Sequence, residues 1–345
     1  MIDELTPDAR LDDEAAMDRA VLLAAQGPLW GPNPRVGCVL TDAEGRVLAE
    51  GWHRGAGTPH AEADALERAA AEGADVAGAT AYVTLEPCTH TGRTGPCADA
   101  LTVAGVGRVI YAVEDPNPEA SGGGSVLRGR GIDAEFVPHP GARELNSRWL
   151  RAMELGRPYV IAKWAQTLDG RTAAADGSSF WITGEQARGH AHHTRAAVDA
   201  ILVGTGTVRA DDPALSARPP GVHTPHQPLR VVMGMADTAG AKVWRDDNVL
   251  AARTHDPAQV LDMLWRRDAR TLMVEGGAIV TSAFLRAGLV DEVHAYIAPA
   301  LLGAGPTAVG DLGIGTMTDA LRGSDVTVTR LGADTLVTAV FTKGP

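Results

Sequence analysis

Three side chains that can bind a metal ion occur in the first third of the chain, close to a carboxylate. His60 opens an H-A-E segment that ends at Glu62. Cys88 follows a proline, and eight residues separate it from Cys97. Zinc takes imidazole and thiolate ligands, and a catalytic zinc site keeps one position open for water. The sequence therefore predicts a catalytic zinc site formed by this histidine and these cysteines, with Glu62 beside the water as acid and base.

The order of these residues indicates which reaction such a zinc site would catalyse. An H-x-E segment followed by P-C and a second cysteine is typical of zinc deaminases, in which the two cysteines are usually two residues apart. The longer separation of Cys88 and Cys97 departs from that spacing. Two other interpretations stay open at this point. The thiols could be ordinary core residues beside a surface His-x-Glu, or the zinc could be structural, with a fourth ligand that the sequence does not identify.

Two glycine-containing turns in the second half could bind a dinucleotide. The segment G-T-G-T at 204–207 follows one predicted strand, and E-G-G at 275–277 follows another and precedes a helix. Backbone N–H groups at such a turn suit a pyrophosphate. Alone, each turn is a weak signal, because glycine turns end strands in most α/β proteins, and neither matches the G-x-G-x-x-G pattern.

Hydrophobic periodicity places the metal-binding residues on alternating helices and strands. The first half predicts the following elements: helices at 12–26, 60–72, 97–104 and 141–155, and strands at 35–41, 46–52, 81–85, 107–113 and 133–137. This alternation predicts an α/β domain whose strands are covered on both faces. His60 would then stand at a helix start, and Cys97 would open the next helix, where a thiolate is favoured.

A G-R-P segment at 156–158 predicts a boundary between a domain at 1–156 and a domain at 157–345. The second half is richer in strand-like runs. It predicts strands at 159–164, 199–204, 229–233, 271–274, 291–297, 325–331 and 335–341, and helices at 185–196, 256–266 and 278–287. The stretches 211–228 and 303–315 are predicted to be loops. These elements indicate a mixed sheet with flanking helices.

Length and composition exclude several classes of protein. A chain of 345 residues suggests about two domains, and no apolar run approaches the length of a transmembrane helix. With 31 Lys+Arg and 43 Asp+Glu, the formal charge of −12 argues against nucleic acid and anionic membranes as partners. Three cysteines indicate a reducing compartment. The acidic first ten residues argue against a signal peptide, so a cytoplasmic protein is expected.

The segment L-E-P-C-T-H-T-G-R-T-G-P-C at 85–97 resembles the deaminase half of the bifunctional riboflavin-biosynthesis deaminase/reductase family. N-P-R-V-G at 33–37, G-W-H at 51–53 and D-P-N-P at 115–118 are similar to that family as well. The resemblance implies a cytidine-deaminase-like α/β/α domain. It also implies that four residues contact the pyrimidine base or its phosphate: Asn33, His53, His90 and Arg93. The S-G-G-G segment at 121–124 departs from the family's V-A-G-x-G.

The second half resembles the reductase half of the same family, which has a dihydrofolate-reductase-like, mixed-sheet fold. The matching segments are K-W-A-Q-T-L-D-G-R-T at 163–172, W-I-T at 181–183, T-V-R-A-D-D-P-A-L at 207–215 and Y-I-A-P at 296–299. The implied substrate contacts are Ser179, Arg195, Leu215, Arg218 and Glu275. The implied NADPH contacts are Ala165, Trp181, Thr207, Asp211 and Gly277. Lys163 would lie by the ribose carbon that receives hydride. Gly234-Met235 replaces the family's usual D-S pair after a strand.

The resemblance implies a bifunctional enzyme of riboflavin biosynthesis that needs Zn²⁺ and NADPH. The first half would hydrolytically deaminate 2,5-diamino-6-ribosylamino-4(3H)-pyrimidinone 5′-phosphate, with Glu62 as the proton shuttle. The second half would then reduce the ribosyl group to ribityl, with Lys163 as its catalytic residue. The expected partners are this small phosphorylated pyrimidine and further copies of the chain in a homo-oligomer. The alternatives are a nucleic-acid or nucleoside deaminase with an accessory domain, and a zinc-binding protein without activity.

Overall fold

The chain divides between Leu155 and Gly156 into two units, each with its own sheet and helices. The computed structural model describes residues 10–90, 95–224 and 226–341. Among these residues no helix is both long enough and apolar enough to cross a membrane. The two units are described separately below.

The first unit alternates helices and strands along the chain. Its described helices are α1 (Asp13–Ala24), α2 (Ala61–Glu72), α3 (Cys97–Val103), α4 (Gly123–Gly129), α5 (Pro140–Leu145) and α6 (Ser147–Leu155). Its described strands are β1 (Gly37–Thr41), β2 (Val47–Trp52), β3 (Thr80–Val83), β4 (Arg108–Tyr111) and β5 (Asp133–Phe136). They form a sheet in the order β2-β1-β3-β4-β5, in which β1 pairs antiparallel with both neighbours and the rest are parallel. Strands β1 and β2, which correspond to the predicted strands at 35–41 and 46–52, form an antiparallel hairpin.

Helices cover both faces of this sheet, and glycines let two of them approach closely. Successive residues of a strand point to opposite faces. A Cβ on Gly37 would lie 2.0 Å from the Ala20 carbonyl oxygen of α1. The next residue, Cys38, pairs with Gly51 on the other face, where a Cβ would lie 2.3 Å from the Ala61 oxygen of α2. The two helices therefore lie on opposite faces, and α2 is seated directly against β2.

The structure of the first unit differs from the predicted helices at two places. The single helix predicted at 141–155 is divided at Asn146, whose buried side chain accepts from the Arg35 N–H at 2.9 Å and donates to the Arg35 carbonyl at 2.8 Å. Helix α4 was not predicted, because it begins with glycines of low helix propensity. Its start is stabilised from outside the helix, since the Glu86 carboxylate accepts from the Gly124 N–H at 3.0 Å.

The second unit contains a mixed sheet. Its described strands are β6 (Tyr159–Thr167), β7 (Ala200–Gly204), β8 (Leu229–Met233), β9 (Val249–Ala252), β10 (Thr271–Val274), β11 (Glu292–Ala298), β12 (Ser324–Leu331) and β13 (Asp334–Val340). Its described α-helices are α7 (Glu185–Ala196), α8 (Thr205–Asp211), α9 (Pro257–Trp265) and α10 (Ala278–Arg286). The strand order is β12-β13-β11-β6-β10-β7-β8-β9, and the part from β11 to β9 is parallel.

Apolar side chains of this sheet alternate between two faces. In β7, Ala200 and Leu202 pack in the core beneath α9 and α10, whereas Ile201 and Val203 pack in the core beneath α8. Because the strands from β6 to β9 are parallel, their carboxyl ends meet at one edge, where ligands of α/β sheets bind. Strand β9 and helix α8 were not predicted, and α8 begins within the G-T-G-T segment that the sequence analysis interpreted as a glycine turn.

Close packing of α2 against β2 should make Gly51 sensitive to the smallest enlargement. We expect Gly51→Ala to destabilise the first unit by about 1–3 kcal/mol, because the added methyl group would collide with the backbone of Ala61 and Ala65. Gly129→Ala is the matched control, since a Cβ there meets no atom within 4 Å. Thermal unfolding monitored by circular dichroism compares the two. Equal melting temperatures for both variants would contradict this account of the packing.

Candidate functional site

The three predicted metal ligands come together in the first unit. His60 is the residue before α2, Cys88 lies in the loop after β3, and Cys97 is the first residue of α3. The Nδ1 atom of His60 lies 3.3 Å from the Cys97 sulfur and 3.6 Å from the Cys88 sulfur. Tetrahedral zinc with bonds of about 2.0–2.3 Å places its nitrogen and sulfur ligands roughly 3.5 Å apart. The donor set and its spacing therefore fit zinc.

Electrostatics at this cluster favour a bound cation. Hydrogen bonds from the Cys97 side chain and from His60 hold the pKa of the Cys88 thiol well below its usual value. The backbone N–H of Cys97 also donates to the Cys88 sulfur, at 3.4 Å. The Cys97 thiol, bonded to Cys88 and buried, has a raised pKa. A cation between the two sulfurs would remove this asymmetry and stabilise both thiolates.

Glu62 is buried beside the ligands, with 3% of its surface exposed. Burial, followed by the negative charge of Cys88, raises the pKa of Glu62 to about 7, although His60 opposes the shift. A carboxyl group that titrates near neutral pH can both accept and return a proton. The second residue of α2 is thus suited to general acid and base chemistry.

His53 and Asn33 form a fixed pair next to the cluster. The Nδ1 atom of His53 lies 2.9 Å from the Pro59 carbonyl oxygen, and Nε2 lies 2.9 Å from the Asn33 side-chain nitrogen. A carbonyl only accepts, so Nδ1 carries the hydrogen and Nε2 accepts from Asn33. Burial lowers the pKa of His53, which favours this neutral form. His53 therefore orients Asn33, whose Oδ1 atom is left to accept a hydrogen bond from a ligand.

The structure describes one of the two remaining predicted substrate contacts of the first unit. His90 is partly buried, and its Nδ1 atom has no hydrogen-bond partner among the residues that the structure describes. Arg93 lies outside the described residues. Asp115, to which the sequence analysis gave no role, lies close to Cys88 and His90, and burial raises its pKa to about 6. The D-P-N-P segment was visible in the sequence, but the proximity of this carboxyl group to the cluster follows only from the fold.

A buried carboxylate between two cations is the centre of the second unit. Glu275 is the first residue after β10, Lys163 lies in the neighbouring strand β6, and Arg195 lies in α7. The Glu275 carboxylate accepts from Arg195 Nε at 2.6 Å and Nη2 at 2.7 Å, and from Lys163 Nζ at 3.3 Å. Burial alone would raise the pKa of Glu275, but Arg195 and Lys163 outweigh it and hold that pKa well below its usual range.

The pairing with Glu275 engages Arg195, which is one of the predicted substrate contacts of the second unit. The Arg195 guanidinium also donates to the Ser216 carbonyl at 3.3 Å, so three of its five N–H groups are engaged within the protein and the others are left for a substrate. Arg218 is exposed, and its backbone N–H donates to His192. Ser179 is partly buried in the segment before α7. Leu215 is buried with a φ of 51°, an uncommon backbone conformation for this residue type.

The predicted NADPH contacts fall into two groups. The Gly277 N–H donates to the Thr207 hydroxyl at 3.2 Å, which joins the starts of α10 and α8 at the carboxyl edge. The first turn of α10 has no side-chain cap, so its N–H groups suit a pyrophosphate. Ala165 lies on β6 and packs near Tyr296. The other two predicted contacts form the second group: Asp211 is exposed at the end of α8, and Trp181 is 67% exposed and stacks on Arg188.

Two glycines allow α10 to start close to the ends of β7 and β10. A Cβ on Gly204 would lie 2.8 Å from a methyl group of Val280, and a Cβ on Gly276 would lie 2.7 Å from the Val280 Cβ. Larger residues at these positions would push α10 away from the ends of β7 and β10. The uncapped helix start, the Thr207 bond and these glycines together fit a bound dinucleotide.

Two family models cover most of the chain. The model of the cytidine and deoxycytidylate deaminase zinc-binding region matches residues 10–113, and that of the RibD C-terminal domain matches residues 158–337. The riboflavin biosynthesis protein RibD of Mycobacterium tuberculosis is 46% identical over 90% of this chain and 91% of its own length. Its Escherichia coli counterpart is 39% identical over 85% of this chain and 89% of its own length.

Solved structures resemble the chain along its length. Acinetobacter baumannii RibD has a TM-score of 0.87 and 37% identity, covering 96% of this chain and 99% of that one. A diaminohydroxyphosphoribosylaminopyrimidine deaminase/5-amino-6-(5-phosphoribosylamino)uracil reductase of Thermotoga maritima has a TM-score of 0.85 and 32% identity, with the same coverage.

The fold and the two sites define a two-domain enzyme in which a cytidine-deaminase-like domain precedes a reductase domain. The chain belongs to the RibD family, the bifunctional deaminase/reductases of riboflavin biosynthesis. Zinc in the deaminase domain and NADPH in the reductase domain are the corresponding cofactors. The predicted fold class, family and cofactors are confirmed.

The metal cluster leads to a prediction of zinc content. We expect about one zinc ion per chain, because His60, Cys88 and Cys97 form the one ligand group of this kind among the described residues. Cys88→Ser should lose the metal, whereas Cys38→Ser should keep it, since Cys38 is buried in β1 and paired with Gly51. Elemental analysis of the purified proteins measures this. Equal zinc in wild type and Cys88→Ser would refute the ligand assignment.

Proposed function

We propose that His60, Cys88 and Cys97 hold zinc and that Glu62 transfers the protons of the deamination. The convergence of three zinc ligands on one buried carboxylate supports this most directly. Bound zinc supplies an activated water near neutral pH. Glu62 accepts a proton as the water attacks the carbon that bears the amino group. The same carboxyl group then returns the proton to the leaving nitrogen, which departs as ammonia.

The pyrimidine is held by the surrounding residues. Asn33, oriented by His53, accepts a hydrogen bond from the base through Oδ1. His90 and Arg93 contact the base and the phosphate. The anionic substrate thereby meets local positive charge on a chain whose net charge is −12. The same net charge disfavours nucleic acid as a substrate.

In the second unit, Lys163 is the proposed catalytic residue. NADPH supplies the hydride to the ribose carbon that carries the amino group. As the bond from that carbon to the ring oxygen breaks, the oxygen gains a proton and becomes a hydroxyl. Lys163 is the proposed proton donor, and the Glu275 carboxylate holds its ammonium group in place. Arg195 shares that carboxylate, and with Ser179, Leu215, Arg218 and Glu275 it lines the proposed substrate site.

The coenzyme is proposed to lie along the carboxyl edge of the second sheet, in contact with Ala165, Trp181, Thr207, Asp211 and Gly277. The enzyme is proposed to be cytoplasmic, which agrees with three cysteines that form no disulfide. It is also proposed to form homo-oligomers. The edge strand β12 supports this, because it exposes Val326 and Val328.

Replacement of Glu62 separates the proton shuttle from the metal. Glu62→Gln has nearly the same shape but cannot accept and return a proton. We expect it to keep zinc and to release ammonia about a hundredfold to ten-thousandfold more slowly. Ammonia release and zinc content are measured on the same sample.

The reductase provides the internal control for this variant. Glu62→Gln should consume NADPH at the wild-type rate when it is given the deaminated substrate, because that substrate binds in the second unit. Given the diamino compound, it should form almost no ribityl product. Deamination within a few-fold of the wild-type rate would contradict the role of Glu62.

Replacement of Lys163 should affect the other reaction. Lys163→Ala removes the proposed proton donor but leaves Glu275 paired with Arg195, so the buried carboxylate keeps a partner. We expect NADPH oxidation with the deaminated substrate to fall by about a hundredfold or more. Ammonia release from the diamino substrate should be unchanged and serves as the control. An unchanged rate of NADPH oxidation would refute the assignment of Lys163.

A further inference from the structure

The adenosine end of the proposed coenzyme site contains no polar side chain where the family resemblance predicts one. Strand β8 ends at Met233, and the next residue is Gly234. Its φ is 128°, and a Cβ there would lie 2.7 Å from the Thr205 hydroxyl oxygen. A side chain at this position would therefore be strained and would collide with the start of α8. The following residue, Met235, is exposed and uncharged.

A positively charged residue, Arg253, follows the neighbouring strand β9 and lies beside Gly234. Strands β8 and β9 are parallel, Met233 pairs with Ala252, and the Gly234 N–H donates to the Ala252 carbonyl at 3.0 Å. The residue after Ala252 is Arg253, which is exposed and forms no ion pair with any residue that the structure describes. The carboxylate three residues further along the chain, Asp256, accepts from the Ala258 N–H at the start of α9.

The chain turns directly after β9, with Arg253 at the centre of the turn. Strand β9 ends at Ala252, and the Thr254 N–H donates to the Ala252 carbonyl at 2.8 Å. Because the same carbonyl accepts from the Gly234 N–H, this turn lies directly beside Gly234 at the carboxyl edge.

The order of the strands matches the order of groups in a dinucleotide. Along the carboxyl edge, β6 carries Lys163, β10 leads to Gly277, β7 leads to Thr207, β8 leads to Gly234 and β9 leads to Arg253. Neighbouring strands lie about 4.8 Å apart, so Arg253 is roughly 10 Å from the end of β7. A coenzyme with its nicotinamide near β6 and its pyrophosphate over β10 and β7 would bring its adenosine to β8 and β9.

We propose that Arg253 binds the 2′-phosphate of NADPH and so sets the preference for NADPH over NADH. This rests on the proposed coenzyme site. A guanidinium group suits the task, because it is always charged and binds phosphate oxygens through two N–H groups. In Rossmann-type dinucleotide sites, a nearby arginine accommodates the same phosphate.

The test compares two fragments of the coenzyme by calorimetry on the full chain: adenosine 2′,5′-bisphosphate and adenosine 5′-monophosphate. We expect wild type to bind the bisphosphate more tightly. Arg253→Ala should weaken bisphosphate binding roughly ten- to a hundredfold and leave monophosphate binding within about twofold. Arg253→Lys should keep part of the preference. The matched control is Arg267→Ala, which removes an exposed arginine beyond the far end of α9 and should bind both as wild type does.

Other outcomes overturn the assignment. Equal loss of both fragments in Arg253→Ala would show a general change in the site, and an unchanged bisphosphate affinity would show that the phosphate is held elsewhere. The same selective loss in Arg267→Ala would show that the effect comes from the change in net charge and not from the position of Arg253. Wild type that binds neither fragment nor NADPH would instead contradict the coenzyme site itself, and the role of Arg253 with it.

Discussion

Buried charge needs a partner of opposite sign, and both sites of this chain are built on that constraint. In the second unit the partners are protein groups, since Arg195 and Lys163 share the Glu275 carboxylate. In the first unit Glu62 and the sulfur of Cys88 are buried together beside one histidine, and the proposed metal cation would supply the remaining positive charge. The proposed zinc ion would therefore complete the charge balance of the first site, whereas the carboxylate of the second site has its cationic partners before any ligand binds.

The two sheets bring these charges together in different ways. In the first unit, close seating of α2 on Gly51 fixes where His60 and Glu62 enter the site. In the second unit, β10 inserts between β6 and β7, although it follows both in the chain. That insertion places Glu275 next to Lys163 and joins the starts of α8 and α10. Strand order, more than any single motif, therefore creates the proposed reductase site.

Short-range patterns predicted much of this structure. The strand and helix that flank the H-A-E segment follow from apolar periodicity, and the proposed zinc ligands follow from residue type and order. What could not be predicted depends on partners far away in the sequence. Asn146 divides a predicted helix because it bonds to Arg35, and α4 forms from glycines because Glu86 caps it. Pairing of Arg195 with Glu275, 80 residues apart, likewise engages part of a guanidinium group that was predicted to contact the substrate.

The central claim is that two separate sites act in sequence on one substrate, the first through zinc. The most direct measurement follows ammonia and NADPH simultaneously after the diamino-pyrimidinone phosphate is added to zinc-loaded and zinc-stripped enzyme. The account predicts that zinc-loaded enzyme releases ammonia even without NADPH. Zinc-stripped enzyme should do nothing with the diamino compound, yet should oxidise NADPH when given the deaminated one. Oxidation of NADPH by the diamino compound on zinc-stripped enzyme, without release of ammonia, would contradict it.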